Sequence, residues 1–206
     1  MKNKFWLCGG LLLIAAALCF TWYNFWDEKR AGDEAGKALE KIASLCPAPS
    51  DGKREQTFNP QMDMPVVEAD GYLYIGTLEI PALGLKLPVM SSWSYPKMKI
   101  APCRYTGSAY LDNLILAAHN YSTHFGRLGE LTKGDAVIFT DTVGNQFFYQ
   151  VDEITRLEGT AVEEMEAGEW DLTLFTCTLD SRSRITVRCV RTQEDEEESM
   201  QPELIP

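Results

Sequence analysis

The sequence predicts an all-β domain, an antiparallel barrel or sandwich, behind a single N-terminal transmembrane helix. Two observations carry this prediction. Short apolar segments separated by Gly, Asn and Asp turns recur from about Tyr72 onward, and an apolar run from Phe5 to Trp26 follows Lys2 and Lys4. The 206 residues, 45% of them hydrophobic, suffice for one domain with its own core plus an appended segment. A formal charge of −11 without a basic stripe excludes a nucleic-acid partner, because phosphate binding needs clustered Lys and Arg.

The run from Phe5 to Trp26 is interrupted only by Gly9, Gly10, Thr21 and Asn24. About 22 helical residues cover roughly 33 Å, enough for a hydrocarbon core of about 30 Å. Bulky Phe20, Trp22, Tyr23, Phe25 and Trp26 occupy the exit where a secretory leader has small residues for cleavage, so an uncleaved anchor in contact with membrane lipid is expected. Positive charge before the run places the N-terminus in the cytoplasm and everything after Trp26 outside, in a single-pass cell-membrane protein.

Residues 28–47 place Ala35, Leu39, Ile42 and Leu45 near a helical period, with Pro47 as a stop: a stalk helix. Residues 48–66, rich in Pro, Asp, Gln and Asn, read as a linker. The expected organisation is therefore an anchor at 1–27, stalk and linker at 28–66, a β domain at 67–192 and an acidic disordered tail at 193–206. Candidate strands are 72–80, 86–90, 113–119, 136–141, 146–157, 171–177 and 184–191. Val143, Gly144 and Asn145 form the turn of a hairpin, and residues 163–167 form one helical turn before Gly168.

Cys8 and Cys19 lie in the apolar run; Cys46, Cys103, Cys177 and Cys189 lie outside it. Their spacing shows neither a CxxC pair nor a cluster with the two histidines, which argues against a zinc site. Buried unpaired thiol is the expectation for Cys189. His119 ends an apolar strand, whereas His124 sits inside the polar loop that follows. The strand ending at Cys177 and the strand starting at Arg184 are joined by TLDSRS, a length natural for a hairpin. As antiparallel neighbours, Cys177 and Arg184 would lie opposite each other with Cα atoms about 5 Å apart. A guanidinium beside a thiol favours the thiolate and offers planar donors to an oxyanion. Arg188 shares a face with Arg184, Arg191 takes the other face, and Arg182 belongs to the loop.

An N-terminal anchor, IGTLEIP opening the domain, AAHNY around His119, LFTC ending at Cys177 and RITVR beginning at Arg184 together resemble a sortase. The resemblance covers about Tyr72 to Arg191. It implies an antiparallel or mixed β-barrel of about eight strands with short helices. It also implies a cysteine transpeptidase with Cys177 as nucleophile, His119 as acid/base, Arg184 as oxyanion cation and Thr176 as a residue that helps hold the substrate or the arginine. The implied partners are secreted proteins bearing a C-terminal sorting signal and an amine from a peptidoglycan precursor or a pilin, and the chemistry needs no metal or organic cofactor. The short connection from Cys177 to Arg184 and the segment WSYPKMKIAPCRY look most like small sortases close to class B. Alternatives are a cysteine hydrolase that resolves the thioester with water and a non-catalytic surface β-barrel. An L,D-transpeptidase would have Gly before its cysteine, where this chain has Thr176.

Overall fold

The structure is a computed structural model that describes residues 2–47, 62–168 and 170–192; most of the expected linker and the acidic tail lie outside the described residues. Helix α1 (Lys2–Leu45) runs without a break, as expected of an Ala- and Leu-rich stretch with no proline before Pro47. The expected boundary between anchor and stalk falls inside this one helix. The two halves differ in what covers them. Leu11, Leu13, Leu18, Phe20 and Trp22 are all exposed, and the helix is long and apolar enough to cross a membrane. Beyond Asp27, the stripe Ala31, Ala35, Ala38 and Ile42 is buried against the domain. The sequence had pointed to Ala35, Leu39, Ile42 and Leu45, but Leu45 is 53% exposed and Leu39 only partly buried. Small alanines win because they let the helix approach Ala69, Tyr74 and Met90 on the sheet.

The strands are β1 (Val67–Ala69), β2 (Tyr72–Ile80), β3 (Leu85–Met90), β4 (Cys103–Thr106), β5 (Leu114–Ala117), β6 (Ala136–Asp141), β7 (Gln146–Glu158), β8 (Leu172–Cys177) and β9 (Ser183–Arg191). They are ordered β2-β3-β4-β5-β8-β9-β7-β6, and β6 pairs back onto β2, closing an eight-stranded barrel to which β1 adds a short edge. The sheet is mixed, because β3–β4 and β5–β8 are parallel. Two single-turn helices, α2 (Tyr95–Met98) and α3 (Val162–Glu166), sit outside it. Sequence periodicity missed β1 and β4, which are three and four residues long and too short to show alternation.

The barrel interior holds Leu78, Val89, Leu116, Phe139, Phe147, Leu174, Val187 and Cys189 among others. A second cluster, Ile115, Ala117, Met165 and Phe175, lies on the outer face under α3. There the buried guanidinium of Arg188 donates to the carbonyls of Met165 (2.7 Å) and Glu164 (2.6 Å) and to Thr173 Oγ1 (2.9 Å). The β6–β7 turn is held by buried Asp141, which accepts hydrogen bonds from Val143 N, Asn145 N, Asn145 Nδ2 and Tyr110 Oη. Gly144 has φ 91°, as the sequence requires of that turn.

Closure depends on Gly76, which pairs with Val89 of β3 on one side and Asp141 of β6 on the other. A Cβ there would sit 2.0 Å from the Thr140 carbonyl oxygen, which is backbone and cannot yield. Gly76→Ala is expected to cost about 3 kcal/mol or more by denaturant unfolding, because either the seam opens or the strand strains. Gly129→Ala, which meets nothing within 4 Å, should stay within about 0.5 kcal/mol of the parent.

Candidate active site

Three adjacent strands bring the sequence-singled residues to one end of the barrel. β8 and β9 pair in the register Cys177↔Arg184, so thiol and guanidinium stand directly across from each other on the same face. β5 runs parallel to β8 with Ala117 opposite Phe175, and the Ala118 N–H donates to the Phe175 carbonyl at 3.3 Å. His119 lies two residues past the end of β5 and Cys177 at the end of β8, so the two stand at the same end of the barrel. Alternation puts Cys177 and Arg184 on the outer face with Ala117 and Phe175, away from the packed interior. Cys177 is exposed, whereas Cys189, twelve residues later in sequence, is fully buried in the barrel.

Arg184 lies 5.6 Å from the Phe175 ring centre, a cation–π contact that holds the guanidinium over the sheet. Its Nη1 is buried and has no hydrogen-bond partner among the described residues. An unpaired buried donor costs stability unless something accepts from it, so this nitrogen is a hydrogen-bonding capacity that the described residues leave unused. His119 is half-buried; its Nδ1 is 3.1 Å from Asn120 Oδ1 and 3.2 Å from Asn120 N. A protonated Nδ1 donates to the first and an unprotonated one accepts from the second, so Asn120 serves this nitrogen in either tautomer and Nε2 remains for proton transfer. The His119 ring also stacks on Tyr121, with centroids 4.5 Å apart and planes 11° from parallel.

Thr176 points the other way along β8. It is 3% exposed, and its hydroxyl donates to the Ala118 carbonyl at 2.9 Å, tying the end of β8 to the end of β5. A cavity of about 450 Å³ opens beside Cys177, lined also by Asn120, Gly126, Thr176, Leu179, Asp180 and Ile185. Along the outer face, Phe175 meets Tyr105 edge-on at 5.4 Å, and Tyr105 meets Trp93 at 5.5 Å, extending an aromatic wall away from Arg184. Asn120, Tyr121 and this wall were not singled out by sequence reasoning; the nearest signal was the HNY triplet itself. Among the described residues no group of three His, Cys, Asp or Glu is arranged to hold a metal ion.

The Sortase domain family matches residues 78–192, more than half of the chain. The chain belongs to the sortase family. That family and fold are those of cysteine transpeptidases. Among solved structures, sortase C1 of Streptococcus suis is 28% identical, with 61% of this chain and 76% of that one covered at a TM-score of 0.52. Streptococcus pneumoniae sortase C, whose description concerns catalysis and pilin substrate specificity, shares the fold at 21% identity, 81% and 88% coverage and a TM-score of 0.53. A lid mutant of Corynebacterium diphtheriae sortase A shares it at 18%, 83% and 96% coverage and 0.54. These three are named as class C and class A enzymes. A comparison with curated proteins gave no match.

In this sortase His124 is fully buried, although the sequence placed it in a polar loop, because α1 packs over that loop at Gly32 and Thr123. Its ring nitrogens lie near the backbone of Ala31 and Met98 but make no hydrogen bond of good geometry with any described residue. Burial, and secondarily the neighbouring His119, push its pKa down to about 4. The unfolded chain, with the ordinary histidine value of 6.5, takes up the proton first, so stability is full above that pH and drains as pH falls toward 4. Unfolding measured at pH 7 and pH 5 should differ by about 2 kcal/mol from this residue. His124→Phe should remove that part of the acid sensitivity.

Proposed function

We propose that the protein is a membrane-anchored, extracellular sortase-type transpeptidase that cleaves the C-terminal sorting signal of secreted proteins at the cell surface of a Gram-positive cell. The acyl group passes to an amine of a peptidoglycan precursor or a pilin. The observation that carries this reading is the register that sets exposed Cys177 across from Arg184, with an unpartnered guanidinium nitrogen, inside a sortase domain.

The Cys177 thiolate attacks a backbone carbonyl carbon; a C–S bond forms and the carbonyl oxygen becomes an oxyanion, to which Arg184 donates. Collapse breaks the C–N bond as protonated His119 gives its proton to the departing amine. The thioester is resolved when neutral His119 accepts a proton from the incoming amine, a new C–N bond forms and the thiolate leaves. Thr176 supports this by fixing the end of β8 to the segment after β5 through Ala118, which keeps Cys177 and His119 at one end of the barrel. The apolar first half of α1, exposed and long enough to span, would hold the domain where secreted substrates and lipid-linked amines meet.

The full-length protein in detergent, incubated with a peptide library and read by mass spectrometry, should cleave a defined motif and pass through a thioester on Cys177. An added amine-bearing peptide should become joined to the product; hydrolysis unaltered by amine would establish the hydrolase instead. Cys177→Ala should abolish both cleavage and thioester, whereas Cys189→Ala should retain activity. Iodoacetamide at neutral pH should label Cys177 ahead of Cys103 and Cys189, which are fully buried and whose pKa values burial pushes up to about 12. Arg184→Ala should lower turnover by about 100-fold or more through the lost oxyanion donor. Arg182→Ala, in the exposed turn, should stay within about two-fold.

A further inference from the structure

The loop that follows His119 grips α1 at the point where the apolar run ends. Tyr121, whose ring stacks on the His119 imidazole, donates its phenol proton to Asp27 Oδ2, and Asp27 is the residue immediately after Trp26. Asp27 is itself steadied by Arg30 at 2.9 Å. Next along the loop, the Ser122 N–H donates to a Glu28 carboxylate oxygen, and Thr123 packs on Gly32. A phenol donating to a carboxylate makes a short, charge-assisted bond, and this one is half-buried, so the tyrosine ring has a fixed plane. A ring lying 11° from parallel at 4.5 Å limits rotation of the imidazole about χ2, the torsion that sidechain rotamers otherwise leave broad.

We propose that Tyr121 is a positioning residue for His119 and that Asp27, on the anchor helix, holds it in place, so that the juxtamembrane turn of α1 is a working part of the active site. The inference rests on the transpeptidase reading for its effect on turnover, but its geometric half stands apart from that reading. Small displacements of an acid/base group lower the rate of the chemical step and leave binding of a peptide in the cavity beside Cys177 alone.

The test uses the full-length chain in nanodiscs of phosphatidylcholine and phosphatidylglycerol, with histidine rings isotopically labelled. His119 resonances are assigned through His119→Gln. Tyr121→Ala should move the His119 ring resonances through the lost ring current, and Asp27→Ala should move them too, although Asp27 bonds to Tyr121 and Arg30 and not to His119. For the peptide selected from the library, Tyr121→Ala should lower kcat about ten-fold or more with KM within about two-fold. Tyr121→Phe, which keeps the stacked ring and loses the phenol, and Asp27→Ala should each lower kcat about three-fold, and the double variant should fall no further than either. Thermal melts confirm that each variant is folded. His119 resonances and kcat unmoved by Asp27→Ala, or a rise in KM at constant kcat in Tyr121→Ala, would overturn the proposal. Absence of any cleaved peptide with the parent protein would sink the transpeptidase reading, and the resonance shift in Asp27→Ala would still decide whether the helix sets the imidazole.

Discussion

The pairing of β8 with two partners of opposite direction is the constraint on which the rest of this molecule depends. Antiparallel to β9, it brings Cys177 opposite Arg184; parallel to β5, it carries the chain end at His119 alongside. Because side chains alternate with period two, a slip of one residue in either pairing would turn the thiol inward or the imidazole away. What prevents slippage is the interior: Leu116, Leu174 and Val187 are all fully buried in the same cluster, and a shifted register would expose them. The barrel core, far from the chemistry in composition, is thus what holds Cys177 opposite Arg184 and keeps His119 at the same end of the barrel.

Within β9 the same physics separates residues of like chemistry. Arg184 and Arg188 share the outer face, yet Arg188 is 5% exposed and spends its donors on α3 carbonyls and Thr173. Burial depresses its pKa, and hydrogen bonds to neutral oxygens rather than a carboxylate make it a strut. Arg184 lies beyond the cover of α3 and keeps a donor unspent. Cys177 and Cys189 divide in the same way, one at a strand end on the outer face, the other deep in the barrel. Position relative to the covering elements, more than residue type, decides which thiol is exposed and which guanidinium keeps a donor without a partner among the described residues.

Much of this was legible in the sequence because it rests on local pattern. Residues 72–80 and 136–141 match β2 and β6 without adjustment, and the hairpin from Cys177 to Arg184 follows from the length of TLDSRS. What escaped depends on contacts remote in sequence. The helix face was misjudged because periodicity favours Leu39 and Leu45, while close approach to the sheet favours Ala31, Ala35 and Ala38. His124 looked exposed because nothing local says that a helix ninety residues earlier will cover it. Tyr121 and Asp27 are ordinary residues until the fold joins them. β4 escaped for another reason, since its link to β3 is the single pair Met90↔Cys103, a junction that four residues cannot announce.

The unbroken course of α1 gives the molecule an orientation. Asp27 and Glu28 meet the loop after His119, whereas Lys41, roughly 20 Å further along the helix, meets Asp70 at the start of β2. With the apolar run in a bilayer, the barrel end that carries His119, Cys177 and Arg184 is therefore the end nearest the headgroups, and the β1–β2 turn is the far end. A continuous helix rather than a loop joins the apolar run to the stretch packed on the barrel, so the spacing between the two is set by the helix itself. Asp27 and Glu28, at the boundary of the apolar run, are the residues that meet the loop after His119, so the exit of the helix from its apolar stretch and the surroundings of the imidazole are joined by one short stretch of chain.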